Sequence, residues 1–203
     1  MKNFTLFTLV MAAFIYMGCD TAKKTSKSAS DSAESTMNAG KIDIEGEFVT
    51  GGAIGFEAAN ERYNADGKFN KWHFTKVSME KKNIESLEAT IAVDLASIWE
   101  KNDDLTNHLK APDFFNIEKF TTATIDIKNV KPIAEGVYKA DMVLNMKGLT
   151  QEMSSEFIVS SMEPYHVIGK AQVSRKLFGL GSEEMGVGEY VTVAYDTDIP
   201  VGE

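Results

Sequence analysis

The feature that most constrains the fold is an alternation of apolar and polar residues that recurs along the chain. It is clearest over residues 87–95, where every odd position is apolar, and it recurs over residues 138–146 and 191–199. A period of two is typical of a β-strand that buries one of its faces. Weaker alternation covers residues 54–58, 68–79, 122–130, 153–160 and 165–173.

Short breaks that contain glycine or proline separate several of these segments. They lie at residues 51–52, 66–67, 135–136 and 163–164. Such pairs favour turns, because glycine reaches positive φ and proline fixes its own φ. Many strands in succession, each with one buried face, predict an all-β domain that is either a barrel or a sandwich. Alternation alone does not distinguish these two architectures.

One segment, residues 97–115, departs from the alternation and predicts a short helix at about residues 100–111. Asn102 is suited to the N-cap position, and the two aspartates that follow it would lie in the first turn. Leu105 and Leu109 are four residues apart and would share one face of the helix. Pro112 disfavours helical backbone at the residue before it and so ends the helix.

The N-terminus has the pattern of a bacterial lipoprotein precursor. Lys2 is followed by an uncharged, mostly apolar run over residues 4–16, which is too short to span a membrane and about as long as the apolar region of a signal peptide. The sequence Tyr-Met-Gly-Cys that ends at Cys19 resembles a lipobox. We therefore predict a signal peptide over residues 1–18 and a lipid on Cys19. An ordinary signal peptide with a chance cysteine is the alternative.

The region after Cys19 is predicted to be a flexible tether that ends at residue 40, followed by one domain over residues 41–203. Residues 20–40 are rich in Ser, Thr, Ala, Lys and Asp, and Met37 is their only large apolar residue. Such a segment buries too little surface to offset the entropy of ordering it. Because the whole chain has a formal net charge of −9, nucleic acid is not an expected partner.

The sequence favours a non-enzymatic protein without a metal or cofactor. It lacks the short motifs of serine hydrolases, zinc proteases, P-loop nucleotidases and dinucleotide-binding enzymes. The three histidines, His73, His108 and His166, lie in different predicted elements, so a metal site of three histidines is not expected. The only cysteine is Cys19, and the predicted anchor uses it.

Four stretches of the chain together resemble the YceI-like family. The central one combines the run Val-Asp-Leu-Ala-Ser-Ile at 93–98 with His-Leu-Lys-Ala-Pro-Asp-Phe-Phe at 108–115. The others are Asn-Met-Lys-Gly-Leu-Thr at 145–150, Arg-Lys-Leu-Phe-Gly-Leu at 175–180 and Gly-Glu-Tyr-Val-Thr-Val at 188–193. They occur in the family's order over nearly all of the domain.

This resemblance implies a lipocalin-like, up-and-down barrel of eight antiparallel strands with one helical insertion. It further implies an elongated apolar lumen, since some family members bind polyisoprenoid or fatty-acid-like chains. The candidate lumen residues are Phe56, Trp72, Leu87, Ile91, Phe114, Met142, Leu144, Met146 and Tyr195. The alternative is that these side chains simply fill the core. Phe114 and Phe115 are expected to pin the end of the helix onto the mouth of the barrel.

Two polar residues of the family signature, His108 and Arg175, are the candidates for contact with a ligand's head group. The guanidinium of Arg175 suits phosphate or carboxylate, whereas a single histidine is more often structural.

Three functions stay open at this level, because a fold does not fix a function. The first is a membrane-anchored carrier of an apolar ligand on the periplasmic side of the cell envelope, tethered to the inner or the outer membrane. The second is a ligand-free barrel that binds other envelope proteins. The third and least favoured is an enzyme that acts on a lipid. The resemblance also allows for a homodimer.

Overall fold

A computed structural model describes most of the predicted domain. The described residues are 41–48, 51–59, 64–81, 83–182 and 186–200. The predicted signal peptide, Cys19 and the tether lie outside these residues, so they stay predictions. Within the described part of the chain, no helix is long and apolar enough to cross a membrane.

The described residues form eleven strands and one α-helix. Two short 3-10 helices, Ile84–Ser86 and Leu95–Ser97, flank the fifth strand. In chain order the other elements are β1 (Lys41–Phe48), β2 (Ile54–Ala59), β3 (Asn64–Phe69), β4 (Trp72–Glu80), β5 (Glu88–Asp94), β6 (Ile98–Glu100), α1 (Asp103–Lys110), β7 (Thr122–Ala134), β8 (Val137–Met146), β9 (Leu149–Met162), β10 (Tyr165–Ser174) and β11 (Tyr190–Ile199).

All eleven strands belong to a single antiparallel sheet. Their order across the sheet is β1-β4-β5-β7-β8-β9-β10-β11-β2-β3-β6. The sheet curls until its inward side chains enclose a common interior, and one cluster of buried apolar residues draws on strands from all around it. The predicted all-β, barrel-like architecture with a helical insertion is confirmed.

The strand count of eight is corrected to eleven. Strands β1 and β6 had no sequence prediction, and β6 is only three residues long, too short to display a period. The stretch 68–79 is not one strand, because the chain turns after Phe69 and β4 begins at Trp72.

The predicted break at residues 66–67 is also wrong, since both residues lie inside β3. Glycine is needed at position 67 for close packing and not for a turn. A Cβ at this position would overlap the ring of Phe56 on the neighbouring strand β2. Glycine inside a strand commonly marks such a close approach. The breaks at 135–136 and 163–164 are confirmed, because they join β7 to β8 and β9 to β10.

The predicted helix is confirmed, and its N-terminus is capped as expected. The side-chain oxygen of Asn102 accepts hydrogen bonds from the backbone N–H groups of Asp104 at 2.9 Å and Leu105 at 3.1 Å. These bonds satisfy two of the N–H groups that the first turn of a helix leaves unpaired. Leu109 is buried, so α1 packs its apolar face onto the interior of the sheet.

Candidate functional site

The interior of the curled sheet contains a cavity of about 210 Å³. A single water molecule needs roughly 10–15 Å³ on this scale, so the core is not completely filled by its own side chains. Strands β2 to β5 and β7 to β11 contribute to the wall, together with Leu105 and Leu109 of α1. This cavity is the candidate functional site.

All nine residues that the sequence suggested for a lumen lie on the cavity wall. Phe56 comes from β2, Trp72 from β4, Tyr195 from β11, and the other six are Leu87, Ile91, Phe114, Met142, Leu144 and Met146. Their contact with a ligand stays a prediction. For the seven that lie on strands, this position follows from the alternation, because residues two apart on a strand point to the same face. Leu87 and Phe114 lie outside the strands.

The wall also contains apolar residues that the sequence analysis did not single out. Strands β7 and β10 contribute Ile125, Ile127, Val167, Ala171 and Val173. The weaker alternation over residues 122–130 and 165–173 already contained this signal. The aromatic residues Phe69, Phe74 and Phe157 were missed as well.

The lining of the cavity extends along the strands. Strand β11 contributes every second residue from Val191 to Ile199 to the wall. At about 3.4 Å per residue, these eight steps span about 27 Å. A lining of this length suits a chain-like ligand better than a compact one.

Polar groups within the wall bond to the protein itself. The hydroxyl of Tyr195 lies 2.7 Å from that of Ser155, and burial raises the pKa of Tyr195 to about 12. The indole N–H of Trp72 donates to the carbonyl oxygen of Gly52 at 3.3 Å. The hydroxyl of Thr197 donates to the carbonyl oxygen of Gly51 at 3.3 Å.

Arg175, one of the two head-group candidates, is buried and holds the loop that follows it. Its guanidinium donates to four backbone carbonyl oxygens, those of Gly188 at 2.8 Å, Leu180 at 3.1 Å, Ser182 at 3.2 Å and Val187 at 2.7 Å. These bonds tie described residues on both sides of positions 183–185, within the connection between β10 and β11, to one side chain. The head-group role of Arg175 finds no support in this geometry.

His108, the other head-group candidate, is not on the cavity wall. Half of its side chain is exposed, and its Nε2 atom lies 2.9 Å from the carboxylate of Asp113. This hydrogen bond lowers the pKa of Asp113. The imidazole also packs edge-on against the ring of Phe114, with 4.8 Å between the ring centroids. His108 therefore has a local structural role in this geometry.

Phe114 and Phe115 follow the helix and are both buried. Phe115 packs edge-on against Phe69, with 5.6 Å between centroids, and its backbone N–H donates to the carbonyl of Leu109 at 3.1 Å. The two phenylalanines pack the end of α1 against the sheet. Their predicted place at the mouth of the barrel stays a prediction.

The remaining histidines lie away from the cavity. His73 is on β4 and His166 is on β10. The ring of His166 lies between two carboxylates, with Asp196 at 2.7 Å on Nε2 and Asp198 at 2.6 Å on Nδ1. The two carboxylates contact opposite ring nitrogens, so His166 forms an ion pair with each of them when its ring is protonated. No group of three or more His, Cys, Asp or Glu residues with metal-binding geometry occurs in the described part of the chain.

Comparisons with known proteins agree with this fold. A model of the YceI-like domain matches residues 25–199. A UPF0312 protein of Vibrio cholerae serotype O1 is 26% identical over 158 residues, which cover 74% of this chain and 80% of that protein. A UPF0312 protein of Vibrio parahaemolyticus is 26% identical over 166 residues, covering 79% and 77% of the two chains.

Two solved structures share the architecture at low sequence identity. The crystal structure of Burkholderia cenocepacia BcnA is similar with a TM-score of 0.66 and 16% identity, and the match covers 73% of this chain and 96% of that one. A domain from Saccharophagus degradans, described as polyisoprenoid binding and implicated in plant cell wall breakdown, has a TM-score of 0.54 and 11% identity. That match covers 74% of this chain and 94% of the other.

Proposed function

The chain belongs to the YceI-like family, and from this premise we propose that it binds an elongated apolar ligand, a polyisoprenoid or fatty-acid-like chain, inside its curled sheet. The observation that carries the proposal is the cavity itself, whose lining extends along the strands and consists almost entirely of apolar side chains. A closed barrel of about eight strands can already hold one small ligand, and this curled sheet has eleven strands among the described residues.

The hydrophobic effect supplies the affinity in this proposal. Each methylene that moves from water into the cavity contributes about 0.8 kcal/mol. Three methionines, Met142, Met146 and Met153, lie on the wall, and their flexible side chains adapt to irregular ligand shapes. The polyisoprenoid class is further supported by the structurally similar domain from Saccharophagus degradans.

We further propose that the protein is a lipoprotein of the cell envelope, on the periplasmic side of the inner or outer membrane. The lipobox-like sequence at Cys19 and the polar stretch over residues 20–40 support this. A flexible segment of that length has a root-mean-square span of about 25 Å. The domain would then stay close to a bilayer, which is both the source and the destination of an apolar cargo.

The test is to purify the protein from its native host and to identify co-purifying lipid by extraction and mass spectrometry. The protein is expected to retain a lipid with a long apolar chain. A wall variant, Leu144→Asn, should lose most of it. Val143→Asn is the matched control, because Val143 is the neighbour of Leu144 on the same strand and is absent from the wall.

Recovery of no lipid from native material would contradict the proposal and favour the ligand-free interaction module. The cavity argues against that alternative, since a closed barrel of that type needs no unfilled space. An enzyme acting on a lipid is the least supported function. The described wall residues that could act as a nucleophile or base are Tyr195, Asp196 and Thr197. Each of them is already bonded within the protein, to Ser155, His166 and the carbonyl of Gly51 respectively.

A further inference from the structure

Most side-chain atoms that line the cavity are carbon atoms, and a few are methionine sulfurs. Five described wall residues carry polar side-chain groups, and they are Trp72, Arg175, Tyr195, Asp196 and Thr197. Each of these groups has its hydrogen-bond or ionic partner inside the protein. A ligand in the cavity therefore meets hardly any free polar atoms of the described residues. The partner of each polar group decides what this part of the wall can recognise.

The hydroxyl of Tyr195 is the most informative group. The hydroxyl of Ser155 donates to the carbonyl oxygen of Lys170 at 2.8 Å, and a carbonyl can only accept. Ser155 has a single proton, so Tyr195 must donate its own proton to Ser155 across the 2.7 Å contact. The phenol ring lies against the sheet at Gly169, where a Cβ would overlap the ring. The hydroxyl is thereby turned into the wall.

The two charged wall residues direct their charge away from the cavity as well. The guanidinium of Arg175 is bonded to loop carbonyls. The carboxylate of Asp196 contacts Nε2 of His166 at 2.7 Å. His166 is the neighbour of the wall residue Val167 on β10, and alternation places it on the opposite, outer face. Neither charge is available to a bound ligand.

We infer that this cavity selects its ligand by the hydrocarbon tail and is indifferent to the head group, which stays in water outside the cavity. The inference rests on the proposed function, since it concerns the ligand of the same site. A head group that stays in water keeps the same hydration in the free and in the bound ligand. Its hydration therefore adds nothing to the free energy of binding. A head group drawn into the cavity would lose its water and find no partner.

The inference predicts relative affinities unlike those of a site that recognises its ligand through polar groups. A site built to hydrogen-bond one polar group rejects an analogue that lacks it by about 10⁴-fold. Here an alcohol, a carboxylate and a phosphate on one chain should bind alike, within about fivefold. Shortening the chain should weaken all three together.

The experiment compares geranylgeraniol, geranylgeranoic acid and geranylgeranyl phosphate, which share one chain and differ at the head. The protein has two tryptophans, of which Trp72 lies on the wall and Trp99 is exposed. In the full-length chain carrying Cys19→Ser and Trp99→Phe, fluorescence then reports on the wall alone. Each compound is titrated below the concentration at which it forms micelles, and farnesol serves as the shorter chain.

Dissociation constants that agree within about fivefold across the three heads, with weaker binding of farnesol, support the inference. A larger preference for any one head overturns it while leaving the proposed function intact. Failure of all four compounds to bind, together with failure of palmitate, overturns the proposed function itself.

Discussion

The hydroxyl of Tyr195 reaches that of Ser155 across strand β10, at 2.7 Å, and it can do so only because residue 169 between them is a glycine. Gly169 pairs in register with Tyr195 on one side and with Phe157 on the other. The side chain of Tyr195 on β11 therefore crosses β10 and bonds to β9, so that it connects three adjacent strands. This arrangement yields two predictions.

Gly169→Ala should destabilise the protein. The added Cβ would overlap the ring of Tyr195 and approach the Cβ of Phe157 to 2.6 Å. Overpacking of this kind typically costs about 1–3 kcal/mol, measured as the free energy of unfolding in urea. Gly188→Ala is the matched control, because a Cβ at Gly188 has no neighbour within 4 Å. Equal stability of the two variants would show that the ring does not lie against Gly169.

Alkaline pH should destabilise the protein through Tyr195. Burial raises the pKa of Tyr195 from 10.0 to about 12. Because the folded-state pKa is the higher one, the contribution is fully present below about pH 10 and is lost as the pH rises toward 12. It amounts to on the order of 2 kcal/mol. Urea unfolding across this pH range tests it, and Tyr195→Phe should flatten the corresponding part of the profile.

Arg175→Lys should destabilise the protein although it conserves charge. The planar guanidinium serves four carbonyl oxygens at once, whereas a lysine ammonium is a single point with three donors. Carbonyls left without a partner are expected to cost about 1–3 kcal/mol. Hydrogen exchange of residues 186–190 should accelerate at the same time. Lys128→Arg, at an exposed position, should change neither quantity.

His166 should titrate above the usual range of a histidine. Its pKa is raised chiefly by the hydrogen bond with Asp198, and the charge of Asp196 acts in the same direction. The associated stabilisation is present below the unfolded-state pKa of 6.5 and is lost as the pH rises through the folded-state pKa. An NMR titration of the ring is the measurement. In Asp198→Asn the pKa should fall toward 6.5, and an unchanged pKa would assign the shift to another group.

The helix was predictable because its signals are local. The cap of Asn102 acts on N–H groups two and three residues away, and Pro112 follows two residues after the last helical residue. The strands with clear alternation were predictable for the same reason. Strands β1 and β6 were not, because pairing with distant strands defines them. Gly67 was assigned to a turn, because sequence does not reveal the approach of the Phe56 ring.

The amino-acid sequence by itself determined which side chains face the interior. The period of two is a property of the extended backbone, so Met142, Leu144 and Met146 were placed on one face without any tertiary information. Only the three-dimensional structure reveals that the interior contains a cavity and that the polar groups of its wall bond within the protein. Tyr195 finds its partner 40 residues away, and Arg175 bonds to a loop up to 13 residues ahead. Such partners depend on how strands meet across the sheet, which no local pattern encodes.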